Sequence, residues 1–483
     1  MLFSSPLFLY LFLPITLACY YVSPGKLKNT VLLIASLVFY AWGGVSLLAL
    51  LLSSTLVNYF FGLLIDRVKN HKHKRNVLAL GVSINLGLLM YFKYANFITL
   101  NINYILDIFK SGNINFHDIA LPIGISFFTF QALSYLVDVY RGTTKVQRNF
   151  VKLALFISLF PQLIAGPIVR YHDISLQLNK REHRFDIFAS GIRRFILGLA
   201  RKVLIANPMA YIADTAFDMQ NPDLSISMAW LGIFAYAIQI YYDFAGYSDM
   251  AIGLARMFGF ELLENFNSPY IAKSIKEFWK RWHISLSSWF RDYLYIPLGG
   301  NRKSNSRTYL NLIIVFFITG LWHGAAWNFV IWGLIHGLFL IIERLGFDKI
   351  LKKLPNIIQH AYTLIIVLLA WVFFRAENSD HAVNFIRTMV GLNNPDFAFF
   401  QLSEFIGIQF YIVSLVAILG SFNVFQCILS KINLYLQTAS KFSGNISYHI
   451  FEISKIIFIV SMLFLSTLYL ITGSYNPFIY FRF

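Results

Sequence analysis

Residues 309–345 read YLNLIIVFFITGLWHGAAWNFVIWGLIHGLFLIIERL, an apolar stretch with one polar interruption, around His323. A membrane span needs about twenty apolar residues, so the stretch is too long for one span and too short for two full ones. We therefore predict two short helices that meet near His323 inside the membrane. Small residues four positions apart let helices approach closely. Those in this stretch are Gly320, Gly324, Gly333 and Gly337.

Apolar runs of similar length recur along the whole chain. Of its 483 residues 57% are apolar and 13% are charged, and the charged share is about half that of a soluble domain. We therefore predict an all-α polytopic membrane protein that forms one domain over 1–483, with about ten to thirteen helical segments. The other apolar runs are 6–22, 30–51, 45–65, 76–98, 119–139, 151–168, 186–206, 226–252, 357–374, 405–428 and 451–472.

The net charge of +17 is spread over short loops, such as the basic loop at 67–75. Cytoplasmic loops of membrane proteins carry such an excess of Lys and Arg, whereas a nucleic-acid-binding protein would concentrate it on a soluble face. The pattern predicts cytoplasmic basic loops, extracytoplasmic chain termini, contact with membrane lipid and no nucleic-acid partner. Cys19 and Cys427 lie in apolar runs, so we expect neither a disulfide framework nor a metal site.

Residues 151–168 are flanked by basic stretches on both sides and contain Pro161, Gly166 and Pro167. A segment that enters and leaves the membrane by the same face fits this pattern. Irregular backbone at membrane depth is tolerated only where protein or a water-filled cavity surrounds it. We therefore predict a re-entrant segment, with 161–167 lining an internal cavity.

His323 is the first candidate for chemistry, because imidazole exchanges a proton near neutral pH. Its neighbours Trp322 and Asn328 are candidates for lining a channel. The alternative for His323 is a buried histidine satisfied by a carbonyl group. His336 lies thirteen residues later and would not share a face with His323 on a continuous helix, so we assign it a structural or supporting role.

A second candidate region, FWKRWHISLSSWFRD at 278–292, alternates aromatic and basic residues and includes His283. It predicts a short amphipathic helix at the cytoplasmic face. Its basic residues could hold the phosphates of an acyl donor, and the alternative is simple interfacial anchoring. The candidate donor-binding residues are Trp279, Lys280, Arg281 and Trp282.

A third polar region is QIYYDFAGYSD at 239–249. Gln239 and Asp243 are four residues apart and would share one helical face. Charged side chains inside spans usually point into the bundle. The pair could line the channel, orient His323 or bind a partner arginine, and a purely structural ion pair is the alternative.

Several long stretches resemble the membrane-bound O-acyltransferase (MBOAT) superfamily, in particular its bacterial branch that acetylates alginate and peptidoglycan. They are LPIGISFFTFQALSYLVDVYRG at 121–142, FPQLIAGPIVR at 160–170, YYDFAGYSDMAIGLA at 241–255, FNSPYIAKSIKEFWKRWHISLSSWFRDYLYIPLGG at 266–300 and GLWHGAAWNFVIWG at 320–333. The resemblance implies a helical bundle around a central channel where a cytoplasmic donor meets an external acceptor. It also implies that His323 is catalytic and His283 supports it.

The C-terminal tail 473–483 ends in NPFIYFRF and resembles the terminal aromatic motif of such proteins. It is also similar to the end of a helper peptide in teichoic-acid D-alanylation. The resemblance implies that Tyr480 carries the acyl group on the outer side, and the alternative is an interfacial aromatic anchor. It further implies acetyl-CoA as donor and a periplasmic SGNH-type O-acetyltransferase, with a serine nucleophile, as partner.

Three other functions stay open on the sequence alone. The acyl group could be D-alanyl, which would require a carrier protein as donor. A polysaccharide flippase would also need many spans, but it would more often show paired repeats, which we do not see. A scaffold that only recruits the soluble transferase would tolerate the loss of His323. The sequence does not identify the polymer.

Overall fold

The computed structural model describes residues 1–219, 223–393, 402–443, 446–473 and 475–476, and all regular elements within these ranges are helical. The α-helices are Leu13–Val22, Lys28–Ala41, Val45–Arg67, His71–Leu89, Ala95–Ile108, Ile125–Arg141, Phe150–Ser158, Phe160–Leu163, Tyr171–Ile174, Phe185–Ala200, Asn207–Asp218, Ile226–Met257, Ile275–Arg281, Ile284–Phe290, Asn305–His323, Trp327–Ile342, Asp348–Leu351, Asn356–Arg375, Ser379–Met389, Ile408–Ser421, Val424–Ser443 and Ile446–Ile471. Wider π-helical turns lie at Phe8–Phe12, Met90–Tyr94, Arg201–Ala206, Arg291–Tyr295 and Glu343–Phe347.

Within the described ranges, six helices are long and apolar enough to cross a membrane. They are Val45–Arg67, His71–Ile108, Phe185–Asp218, Trp327–Leu351, Asn356–Arg375 and Ser447–Ile471. Four shorter apolar helices accompany them, at Phe8–Val22, Lys28–Ala41, Ile408–Ser421 and Cys427–Leu436. The prediction of an all-α, multi-pass membrane protein is confirmed.

Two of the predicted spans are longer than their apolar runs. The run 76–98 is part of a helix from His71 to Ile108, continuous through the π-helical turn at Met90–Tyr94. The run 186–206 likewise continues to Asp218. Apolarity marks only the part of a helix that faces lipid or the core, whereas hydrogen bonding carries the helix into polar residues beyond it.

The structure breaks the chain where the sequence predicts irregular backbone. Helix Phe150–Ser158 ends, a single turn follows at Phe160–Leu163, and the chain then runs without regular structure to Arg170. A Cβ on Gly166 would lie 2.8 Å from the Pro161 carbonyl oxygen, so this close return requires glycine. Almost all of the segment is buried, as irregular backbone within a membrane bundle requires.

Glycines bring two pairs of long helices into close contact. Gly191 and Gly198 of helix Phe185–Ala200 lie against Gly253 and Gly246 of helix Ile226–Met257, and any added Cβ there would meet backbone at 2.6–2.7 Å. A Cβ on Gly333 would likewise overlap the Phe316 carbonyl. Such small-residue contacts are typical of helix packing in membranes, and the second contact confirms the predicted approach of the two helices on either side of His323.

Candidate active site

His323 is the last residue of helix Asn305–His323, and the chain is extended at Gly324 and Ala326 before helix Trp327–Ile342 begins. The imidazole is 4% exposed. Neither ring nitrogen has a hydrogen-bond partner among the described residues. Two helices therefore meet at His323, as predicted, but they are not short: the first has 19 residues and the second continues to Leu351 as a candidate span of 25 residues. The break leaves both ring nitrogens of His323 without a partner in the described structure.

Aromatic rings surround the His323 imidazole. The ring centroids of Trp322 and Trp332 lie 4.9 Å away, that of Phe374 lies 5.2 Å away and that of His283 lies 6.2 Å away. These rings fix the imidazole by packing on its edges and faces. The alternative of a histidine satisfied by a carbonyl group is not what the structure shows.

His283 lies at a break between helices Ile275–Arg281 and Ile284–Phe290, with a left-handed φ of 43°. The prediction of one amphipathic surface helix across 278–292 is therefore wrong. Too many of its aromatic rings are buried for a surface helix, and the break turns His283 into the bundle, where it is fully buried. A residue other than glycine that has a positive φ is strained, and such strain is typical of functional positions.

Asn265 determines the orientation of His283. The Asn265 amide oxygen lies 3.1 Å from His283 Nδ1 and also accepts hydrogen bonds from the backbone N–H and the hydroxyl of Ser285, at 3.2 and 2.8 Å. Its amide nitrogen donates to Ser248. Because the oxygen is an acceptor, Nδ1 of His283 carries the proton. Nε2 is then the unprotonated nitrogen, and it has no partner in the described structure.

A cavity of about 110 Å³, which we call the Lys93 cavity, opens onto His323. Its lining consists of Lys93, 121–127, Ile164, Trp322 and His323. Residues 121–124 of this lining end the loop that joins helices Ala95–Ile108 and Ile125–Arg141. Ile164 comes from the broken segment, in agreement with the prediction that 161–167 lines an internal cavity.

A second cavity of about 220 Å³, the Trp279 cavity, touches the same helix closer to its N-terminus. Its apolar walls include Trp279, Leu312, Val315, Phe316 and Thr319, and its basic residues are Lys276, Lys280 and Arg291. Helix Asn305–His323 rises about 1.5 Å per residue. Along this helix, the Trp279 cavity therefore lies nearer the N-terminus than His323 does. The Lys93 cavity lies at the level of His323.

An aromatic layer separates the two cavities. The Trp332 ring lies 4.9 Å from His323 and 5.9 Å from Trp279. His336 lies on the far side of this layer, 5.2 Å from Trp279 and 6.0 Å from Phe278. His336 therefore packs against Trp279 and Phe278. It does not line the Lys93 cavity.

The remaining predicted donor and channel residues divide into two groups. Trp279 and Lys280 line the Trp279 cavity, and Arg281 lines a neighbouring basic groove, where it pairs with Glu277 at 2.8 Å. Trp282 is buried instead, 5.0 Å from Trp371. Asn328 donates to the carbonyl oxygens of Phe373 and Ala376, at 3.2 and 2.7 Å, so it fastens two helices together and lines neither cavity.

Gln239 and Asp243 share a buried face of helix Ile226–Met257, as predicted. Asp243 pairs with a lysine, Lys202, at 2.9 Å. Lys202 also donates to Asn207, and Asn207 donates to Asn476 at 3.1 Å. Tyr480 lies outside the described residues. Tyr475, five positions earlier, donates to Asp214, which also pairs with Arg375.

Lys93 and Asn265 are not among the site residues predicted from the sequence. Lys93 is the only charged residue between Arg75 and Asp107, and a lone charge within a span is a signal that could have found it. Asn265 offered no such signal, because only the folded chain brings it to His283.

The sequence profile of the MBOAT, membrane-bound O-acyltransferase family, matches residues 125–375. This range includes both histidines and most of the lining of both cavities. The chain belongs to the membrane-bound O-acyltransferase family. It is therefore an enzyme of the acyltransferase class, as the resemblance of its motifs implied.

Relatives in this family are named for the acylation of cell-envelope polymers. The chain is 48% identical over 406 residues to a probable alginate O-acetylase of Pseudomonas aeruginosa, covering 84% of this chain and 76% of the relative. It is 41% identical over 429 residues to the peptidoglycan O-acetyltransferase of Helicobacter pylori, covering 81% and 80%. A teichoic acid D-alanyltransferase of Bacillus subtilis is 31% identical over 273 residues, covering 53% and 67%.

Proposed function

We propose that this chain moves acetyl groups from acetyl-CoA in the cytoplasm across the inner membrane, for O-acetylation of an extracytoplasmic polysaccharide. The observation that carries the proposal is that His323 lines the Lys93 cavity, one aromatic ring away from Trp279 of the second cavity, and that neither of its ring nitrogens has a partner among the described residues. Relatives that acetylate alginate and peptidoglycan support the acetyl group and the polysaccharide class.

The Trp279 cavity is the proposed donor site. Three cations and no carboxylate line it, and its interior is apolar. Phosphate groups of a CoA thioester would bind the cations. The pantetheine arm, which carries the thioester, would lie along the apolar wall towards His323. Residues 256–308 are rich in Lys and Arg, which supports a cytoplasmic position for this cavity under the positive-inside rule.

His323 acts as general base in this reaction. It takes the proton of an acceptor hydroxyl, and the hydroxyl oxygen attacks the carbonyl carbon of the thioester. The C–S bond then breaks, the acetyl group stays on the acceptor oxygen, and the CoA thiolate takes the proton back from the imidazolium. The His283 ring lies 6.2 Å from that of His323, and in this proposal it positions the thioester end of the donor.

Tyr480 is the proposed acceptor on the outer side. A tyrosyl ester is a covalent intermediate that divides a difficult transfer into easier steps. A separate periplasmic SGNH-type transferase then moves the acetyl group to the polysaccharide. Support comes from the start of the tail, where Tyr475 and Asn476 are bonded to the buried residues Asp214 and Asn207.

Mass spectrometry of the C-terminal peptide tests this proposal. The purified chain in lipid nanodiscs is incubated with isotope-labelled acetyl-CoA, beside His323→Gln, Tyr480→Phe and His336→Gln. We expect label on Tyr480 in the wild type and in His336→Gln, which controls for the loss of a buried imidazole. His323→Gln and Tyr480→Phe should carry none. Label that persists in His323→Gln would refute the role of the base.

Cell experiments separate the neighbouring functions. In cells without their own copy, His323→Gln should abolish polymer acetylation and leave polymer export intact. A flippase would lose export, and a scaffold would tolerate the substitution. The Tyr480→Phe variant tests the relay alone, because full polymer acetylation in that variant would contradict the relay and leave His323 as base.

D-alanyl transfer is the second candidate, and the relative from Bacillus subtilis is the observation that favours it. A D-alanyl donor would arrive on a carrier protein, which would bind the face that carries Lys276, Lys280 and Arg281. Co-purification of an acyl carrier protein that is lost on Lys276→Glu would favour this alternative over acetyl-CoA.

A further inference from the structure

Lys93 is a cation placed inside the bundle of a membrane protein. It is the only charged residue between Arg75 and Asp107, and it lies in the π-helical turn Met90–Tyr94 of a helix that could cross the membrane. Only 8% of the residue is exposed. A charge at such a position is costly, and it indicates function by default.

The contacts of Lys93 do not neutralise its charge. Its ammonium donates to the carbonyl oxygen of Trp322 and, at 3.2 Å, to the hydroxyl of Ser126. It lies 5.9 Å from the Trp322 ring centroid. Within the described ranges no carboxylate lies within ion-pair distance of it. An ammonium has three N–H donors, so one donor remains for a further acceptor.

That further acceptor would lie beside His323. Lys93, Ser126 and His323 line one cavity of about 110 Å³. The carbonyl that Lys93 binds belongs to Trp322, the residue before His323. Lys93 and His323 therefore line the same cavity, which has room for a small acyl group.

We propose that Lys93 is a second catalytic residue, whose ammonium stabilises the negative charge on the acyl oxygen during transfer. The inference rests on the proposed function. It adds a group that stabilises the acyl oxygen, which the proposed function does not include. When the acceptor oxygen attacks, the C=O π electrons move onto the acyl oxygen, which becomes an oxyanion. The Lys93 N–H donates to that oxyanion, and when the C–S bond breaks the electrons return to the carbonyl. No proton leaves Lys93.

Preorganised donors of this kind are effective where water is excluded, because a charge–dipole or charge–charge contact is strong at low dielectric and needs no reorganisation. Burial of the ammonium costs free energy in the resting protein. That cost is offset when the transition state supplies the missing negative charge, so the arrangement binds the transition state better than the substrate.

A structural role is the competing explanation, because cations and donors often satisfy the last carbonyls of a helix. The neighbouring Tyr94 does this at the same helix end, where its hydroxyl donates to Leu321 O at 2.9 Å. Tyr94 does not line the Lys93 cavity. Tyr94→Phe therefore provides a matched control that removes a capping bond and leaves the cavity unchanged.

The test is steady-state release of CoA from acetyl-CoA by the full chain in nanodiscs, with its own tail or water as the acceptor. Lys93→Met, Lys93→Arg, Tyr94→Phe and His323→Gln are compared with wild type, and thermal unfolding checks the fold of each. We expect Lys93→Met to lower kcat about 10²–10³-fold with little change in KM, as for loss of an oxyanion donor. Lys93→Arg should recover part of kcat, and Tyr94→Phe should stay near wild type.

Other outcomes would overturn the inference. Equal losses in Lys93→Met and Tyr94→Phe would make Lys93 a helix cap. A rise in KM alone would make it a binding residue for the donor, and if Lys93→Met fails to fold, an inactive but folded Lys93→Arg would refute charge stabilisation. If the wild type released CoA no faster than His323→Gln, the proposed function itself would be refuted. If the wild type were active and Lys93→Met released CoA at the same rate, only the inference would be refuted.

Discussion

Two lysines of the described residues lie buried in the helical bundle, and their surroundings differ. Lys202 is paired with Asp243 at 2.9 Å and also donates to Asn207, which contacts Asn476 of the tail. Lys93 has only a carbonyl and a hydroxyl as partners in the described structure, and it opens onto a cavity shared with His323. One region has a compensated charge, and the other does not.

The comparison separates a structural from a functional use of buried charge. A paired charge holds elements together, and removal of one partner leaves the other uncompensated. An uncompensated charge beside an open cavity weakens the resting bundle, and it is retained where a reactant supplies the opposite charge. Substitutions in the two regions should therefore change different quantities, namely turnover around Lys93 and stability around Lys202.

The largest effect should follow from His323→Gln. Loss of a general base lowers turnover about 10²–10⁴-fold, and His323 makes no hydrogen bond to the described residues that would be lost with it. We therefore expect near-complete loss of CoA release at an unchanged thermal midpoint. A large drop in the thermal midpoint would show that His323 has a structural role. The distinction between the regions around Lys93 and Lys202 would then be lost.

Lys202→Met should destabilise the bundle strongly. It leaves Asp243 buried without its cation, which costs about 3–5 kcal/mol in proteins where such pairs have been broken. The double variant Lys202→Met/Asp243→Leu should recover much of that loss, since it removes both charges. Lys93→Met should leave the thermal midpoint unchanged or raised. Equal midpoints for Lys202→Met and Lys93→Met would break the comparison.

Asn265→Ala should have a smaller effect on turnover. The substitution removes the acceptor that holds His283 Nδ1 at 3.1 Å and also binds Ser285. A lost buried hydrogen bond of about 1.4 kcal/mol corresponds to about tenfold in kcat. Asn265→Asp keeps an acceptor oxygen at this position and should retain more activity. If Asn265→Ala lowered only stability, His283 would be a packing residue.

The sequence predicted much of the bundle and part of the site. The break at His323 was visible because glycine, histidine and two tryptophans interrupt an apolar run of known length. The break at His283 was not, since aromatic and basic residues alternate there as they do on a surface helix. Contacts in the folded protein, such as the packing of Trp282 against Trp371, show that this face is buried.

Long-range partners explain the other differences. The sequence left open whether Asp243 orients His323, binds an arginine or belongs to a structural ion pair. Its partner Lys202 lies on another helix, 41 positions earlier in the chain. Asn265 reaches His283 across a loop and a short helix. Spacing along one helix predicts which residues share a face, but it contains no information on which other helix lies opposite that face.

The smallest effect concerns a third charged cluster, centred on His172. His172 lies outside the predicted spans, and its charge is compensated like that of Lys202. His172 contacts Asp138 through Nδ1 at 2.9 Å and Asp173 through Nε2 at 3.2 Å. The hydrogen bond to Asp138 and then that to Asp173 raise the pKa of His172 from 6.5 to about 9. The protonated form therefore stabilises the folded protein fully below pH 6.5, and that contribution is lost as the pH rises through 9.

The thermal midpoint of the wild type, compared with that of His172→Gln, measures this contribution. His172 is about one-third exposed, so solvent screening reduces its contribution to the order of 1 kcal/mol. We expect wild type to be the more stable protein at pH 6 and the difference to shrink towards pH 9.5, while other groups titrate alike in both. A difference that stays constant over this range would mean that His172 acts by hydrogen bonding alone, and compensation of charge would then matter only inside the bundle.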